Sequence, residues 1–134
     1  MKPASIMIVE KDADLRNTLR NAFETRGYLT WTCLAPEIAL SISAAVQPSV
    51  ILFDLDSQTS DPLDLIDAWM RLAPPPRVIV ESKSGDTERM RQAMEHGAHA
   101  YLIKPYSLAP LFDLLEKEIP PSEPDLPPIK EEAA

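Results

Sequence analysis

Asp54 closes the apolar run Ser49-Val50-Ile51-Leu52-Phe53, so a buried strand would deliver one carboxylate to the end of a sheet. Two other runs end in groups that suit such a carboxylate. Ile6-Met7-Ile8-Val9 leads into Glu10-Lys11-Asp12, and Tyr101-Leu102-Ile103 leads into Lys104-Pro105. Strands ending in acid, in acid and in Lys-Pro form the layout of an aspartyl-phosphate site. Ligand sites on open parallel sheets lie at the carboxyl ends of the strands. Phosphoryl transfer to a carboxylate needs positioning and neutralisation of charge more than acid–base chemistry.

The elements that must position these groups alternate along the chain. Strands are predicted at Ser5–Val9, Tyr28–Cys33, Ser49–Phe53, Arg77–Glu81 and Ala98–Ile103. Leu15, Leu19, Ala22 and Phe23 follow helical spacing after Asp12, a suitable N-cap, and Gly27 stops that helix. Pro36 and Pro62 suit the first turns of two further helices, Asp86 is expected to cap a fourth, and Ser107 to begin the last. Five strands alternating with five helices predict a (βα)5 domain with parallel pairing and right-handed crossovers, and runs without polar alternation fit a sheet covered on both faces. The folded domain is expected over residues 1–119. Residues 120–134 hold five of the fourteen prolines and read as an acidic tail or linker.

Composition narrows the function classes. At 134 residues the chain has room for one core, and 45% hydrophobic with 25% charged residues is ordinary for a globular domain. A net charge of −8 argues against a nucleic-acid surface, which needs a basic face. No stretch approaches the ~20 apolar residues of a membrane span. No signal peptide is legible after Met1, and the lone Cys33 forms no internal disulfide, so a cytoplasmic location is expected. His96 and His99 flank the helix-breaking Gly97 without further ligands to complete a tetrahedral zinc set.

On these residues the chain resembles the receiver domain of bacterial response regulators, across residues 4–119, most specifically in Ile6–Gly27 and in Glu-His-Gly-Ala-His-Ala-Tyr-Leu-Ile-Lys-Pro-Tyr at 95–106. The resemblance implies a flavodoxin-like fold and a phosphorelay role without enzymatic turnover. A sensor histidine kinase or phosphotransfer protein would phosphorylate Asp54. Glu10, Asp54 and the backbone carbonyl of Asp56 would hold Mg²⁺, Lys104 would contact the phosphate, and Ser82 and Tyr101 would form the switch. Output would pass through the face of the fourth helix, fifth strand and fifth helix, including Arg91, to a partner or attached module, with a homodimer as one arrangement.

The departure is Lys11, which stands where the resemblance implies a second acidic metal ligand. A unit charge ~4 Å away at an effective dielectric of ~20 is worth ~4 kcal/mol, and about double against a divalent ion. Mg²⁺ binding is therefore expected to be weakened, and the Lys11 ammonium to pair with Asp54 and Glu10 in the metal's place. That would make the chain a phosphorylation-independent pseudo-receiver, an interaction module. Lys83 stands where a small residue is usual, and Asp56 and Asp12 are further carboxylates beside the site. Phe53-Asp54-Leu55-Asp56-Ser57-Gln58-Thr59 also resembles the nucleophile motif of haloacid-dehalogenase-like phosphatases, but the second acidic cluster of that family has no counterpart after Lys104.

Overall fold

The computed structural model describes residues 2–57, 61–83, 87–118 and 122–123. Five strands form one sheet: β1 (Ser5–Val9), β2 (Leu29–Cys33), β3 (Val50–Asp54), β4 (Arg77–Ser82) and β5 (Ala100–Ile103). All pairings are parallel and the spatial order is β2-β1-β3-β4-β5, the doubly wound arrangement of a flavodoxin-like fold. The helices are α1 (Ala13–Thr25), α2 (Pro36–Val46), α3 (Pro62–Met70), α4 (Thr87–Glu95) and α5 (Leu108–Glu118). Two residues beyond α5, Ser122–Glu123, pair antiparallel with Lys2–Pro3.

Each sheet face has its own core. Met7, Val9, Ile51, Phe53, Val78 and Val80 pack against Ala39 of α2, Ile66 and Trp69 of α3, and Ala93 of α4. Ile6, Ile8, Val50, Leu52 and Ile79 face Leu19 and Phe23 of α1 and Leu111, Phe112 and Leu115 of α5. The period-2 geometry of a strand sorts alternate residues to opposite faces, and both faces are apolar because helices cover both. Trp69 fixes the first core in place, with its ring edge-on to Phe53 and its indole N–H donating to Ser43 Oγ at 2.8 Å.

The helix boundaries follow local chemistry. Asp12 caps α1 by accepting from the Asp14 and Leu15 N–H groups, and Asp61 caps α3 by accepting from Leu63 and Asp64. Such caps contribute about 1 kcal/mol each. Gly97 ends α4 at φ 120°, where a Cβ would lie 2.6 Å from Met70 Cγ, so both backbone and packing require glycine there. Several expected boundaries shift by one or two residues: β3 runs through Asp54, β4 through Ser82, β5 starts at Ala100, and α5 begins at Leu108 rather than Ser107. The Asp86 cap lies outside the described residues. Among the described residues, no helix is long and apolar enough to cross a membrane.

Candidate functional site

The carboxyl ends of β1, β3, β4 and β5 meet around Asp54. The strand register sets Val9 beside Phe53 and Asp54 beside Glu81, so the residues after β1 and at the ends of β3 and β4 share one edge. Glu10 and Asp54 are each 1% exposed. They form the floor of a cavity of about 560 Å³ lined also by Lys11, Asp12, Asp56, Lys83 and Lys104.

Lys104 sets one positive charge against this floor. Its Nζ donates to Glu10 Oε1 at 2.8 Å and lies 3.4 Å from Asp54 Oδ1. The Lys104 N–H also bonds the Ser82 carbonyl at 2.8 Å, which anchors the lysine to the end of β4. Burial alone would depress the Lys104 pKa, but the bond to Glu10 and the charges of Glu81, Asp54 and Glu10 outweigh it and raise it. Asp54 has its pKa raised above that of an ordinary exposed carboxylate. Its desolvation, then repulsion from Glu10, push its pKa up against the pull of the Asp56 N–H and of Lys104.

The β1–α1 loop explains where Lys11 goes. The Asp12 N–H donates to Glu10 Oε2 at 3.1 Å, while Arg16 Nη1 donates to the Glu10 and Lys11 carbonyls at 2.8 and 3.3 Å. These bonds turn Glu10 inward and leave Lys11 exposed. The ammonium on Asp54 and Glu10 is therefore that of Lys104, and the expected Lys11 pairing is replaced. One buried ammonium already bridges the pair, and taking a second out of water would cost several kcal/mol.

The remaining predicted residues divide. Ser82 Oγ donates to Asp56 Oδ1 at 2.7 Å, so the hydroxyl expected to act as a switch is engaged by that carboxylate. Asp56 presents its own N–H to Asp54 Oδ1 at 2.9 Å. Tyr101 is half-buried on β5 and packs against the core under α2, α3 and α4. His96 Nδ1 lies 2.7 Å from Asp67 Oδ1, tying the end of α4 to α3.

Three residues with a part in the site were not singled out from sequence. Glu81 is wholly buried, accepts from the Tyr106 hydroxyl at 2.7 Å, and has its pKa pushed by burial to about 7. Arg89 reaches from α4 to Asp56 Oδ1 at 3.2 Å and to the Leu55 carbonyl at 2.9 Å. A charged residue inside an apolar β4 run was the available signal for Glu81. Tyr106 and Arg89 carried none, since their contacts span distant chain positions.

Mg²⁺, which receiver domains generally bind, would find an incomplete donor set here. The side-chain carboxylates are those of Glu10 and Asp54, and both face the Lys104 ammonium. Asp12 is committed to capping α1, and the Asp56 carboxylate to Ser82, Lys83 and Arg89. Among the described residues no group of three or more His, Cys, Asp or Glu side chains could hold a metal ion.

Comparison with known proteins matches this geometry to one family. A response regulator receiver domain is matched over residues 6–116. Sporulation initiation phosphotransferase F of Bacillus subtilis is 24% identical over 120 residues, covering 90% of this chain and 97% of that protein. Response regulator protein FleR of Pseudomonas aeruginosa is 28% identical over 135 residues, covering 98% of this chain but only 28% of its own length. Nitrogen assimilation regulatory protein NtrX of Azorhizobium caulinodans is likewise spanned over 26% of its length, at 29% identity and 85% of this chain. A CheY-like receiver structure from Methanospirillum hungatei superposes with a TM-score of 0.80 at 20% identity, over 87% of this chain and 93% of that one. A Burkholderia pseudomallei response regulator solved with a phosphorylated aspartic acid, calcium ion and citrate gives 0.75 at 25% identity, over 81% and 64%. The chain belongs to the response regulator receiver domain family, the receivers of two-component phosphorelay signalling.

Proposed function

We propose that Asp54 is the phospho-accepting residue of this receiver domain. The observation that carries the reading is the Lys104 ammonium set 3.4 Å from Asp54 Oδ1 and 2.8 Å from Glu10 Oε1, at the carboxyl edge of the sheet. In the transfer, a carboxylate oxygen of Asp54 attacks the donor phosphorus, a new P–O bond forms, and the bond to the donor's leaving group breaks. Lys104 balances the charge that arrives, as a point charge. Asp54 is modified once rather than turning over a substrate, so the domain acts as a signalling module and not as an enzyme. The phosphorylated aspartic acid in the B. pseudomallei relative supports this assignment.

The donor would be a sensor histidine kinase or a phosphotransfer protein, and the output an attached module or a partner on the α4–β5–α5 face. Residues 1–119 form the receiver and 120–134 a Pro-rich acidic tail or linker. Lys11 favours a second reading. With a cation in place of one acid and no group of three His, Cys, Asp or Glu side chains to hold a metal among the described residues, the domain would work as a pseudo-receiver whose partners bind without phosphate. Incubation with a small acyl phosphate and Mg²⁺, followed by intact mass, tests the choice. One added phosphoryl group in the parent and none in Asp54→Asn supports the first reading. An unmodified parent supports the second.

A further inference from the structure

Asp56 collects donors from three places. Its Oδ1 accepts from Ser82 Oγ at 2.7 Å and from Arg89 Nη1 at 3.2 Å, and its Oδ2 accepts the Lys83 N–H at 2.7 Å. Its backbone N–H meanwhile hangs on Asp54 Oδ1 at 2.9 Å. A hydroxyl, a backbone amide and a guanidinium thus converge on one anion beside Asp54. Charge-assisted bonds of this kind are roughly twice as strong as neutral ones. Burial pushes the Asp56 pKa up, but the Lys83 N–H, the Ser82 hydroxyl and Arg89 outweigh it and hold it below the ordinary value. The carboxylate therefore stays charged.

We propose that the Asp56 carboxylate is a resident anion in the pocket that a phosphoryl group on Asp54 would use, holding the end of β4 and α4 in an anion-bound arrangement without phosphorylation. The proposal rests on Asp54 being the acceptor position. A phosphoryl dianion on Asp54 has Lys104 on one side. On the other, Ser82 and Lys83 already donate to Asp56. The dianion must expel a like-charged neighbour or forgo those donors, and either outcome opposes phosphorylation. Arg89 bonds both Asp56 and the Leu55 carbonyl, so α4 is clamped to the β3 end by the same anion.

The test uses inorganic phosphate as probe on the full chain, without metal, following the Lys83 amide and the Arg89 guanidinium by NMR. The parent should respond weakly. Asp56→Ala should bind phosphate at least tenfold more tightly, with both signals moving together. Asp56→Asn, near-isosteric and the fallback if Asp56→Ala does not fold, should also gain affinity because it lacks the charge. Equal titration of parent and variants would overturn the proposal, because a carboxylate serving only the loop's architecture leaves no anion site when removed. The same titration in an Asp54→Asn background separates this proposal from the function above. Phosphate binding there, in a chain whose parent accepts no phosphoryl group, removes the acceptor reading and keeps the pocket. A phosphorylated Asp54 with no gain in Asp56→Ala does the reverse.

Discussion

The Tyr106 hydroxyl donates to Glu81 Oε1 across 2.7 Å, and the other Glu81 oxygen is buried with no hydrogen-bond partner among the described residues. Glu81 alternates with Ile79 of the core under α1 and α5, so it points to the sheet face that also carries Asp54. Its burial, set against the bond to Tyr106 and the charge of Lys104, leaves its pKa at about 7 against an ordinary 4.5. The folded state thus binds more protons than the unfolded chain between these values. Stability should fall as pH rises through that window, by about 3 kcal/mol in metal-free buffer, and level off above it. Glu81→Gln should flatten the slope. Denaturant melts on either side of the window check this, and a slope that survives in Glu81→Gln assigns it elsewhere.

Among the described residues Lys104 is the one ammonium on two buried carboxylates, so Lys104→Met should destabilise the domain by about 3 kcal/mol at neutral pH. The loss should shrink in acid, because Asp54 already has a raised pKa and would take up a proton once unpaired. Urea midpoints at two pH values measure it. An equal penalty at both would mean that Lys104 acts by packing alone.

Asp54→Asn should stabilise the metal-free domain, by on the order of 1 kcal/mol. Asparagine removes the repulsion from Glu10, keeps an acceptor for the Asp56 N–H, and leaves Lys104 bonded to Glu10. A Lys11–Asp54 pair, as the sequence alone suggests, would give the opposite sign. Lys11→Met should be nearly neutral and additive with Asp54→Asn. Coupling between the two in denaturant melts would restore that pairing.

Lys11 still matters to a cation arriving from solvent. Calorimetry should find weak Mg²⁺ binding by the parent and at least tenfold tighter binding by Lys11→Asp, which adds a carboxylate beside Glu10. Ordinary affinity in the parent would show that Glu10 and Asp54 suffice.

The alternation of elements was legible because each apolar strand is followed by a helix with its own stop, as at Gly27 and Gly97. Asp54, Glu10 and Lys104 were legible as strand-end groups for the same reason. The direction of Lys11 was not, because Arg16 and the Asp12 N–H set it through bonds to backbone and to Glu10. The Asp56 clamp was hidden too. It joins β3, β4 and α4 across 26 to 33 residues, and no local pattern encodes which donors reach a loop carboxylate.

A phosphoryl group on Asp54 would leave a chemical mark that can be read by position. Treating the chain with acyl phosphate and Mg²⁺, reducing with borohydride and sequencing the peptides by mass spectrometry reads that mark directly, since reduction converts an aspartyl phosphate to homoserine. Homoserine should appear at position 54 and nowhere else, with a higher yield in Asp56→Ala. Homoserine at another carboxylate, or none at any position in either protein, would contradict Asp54 as the acceptor.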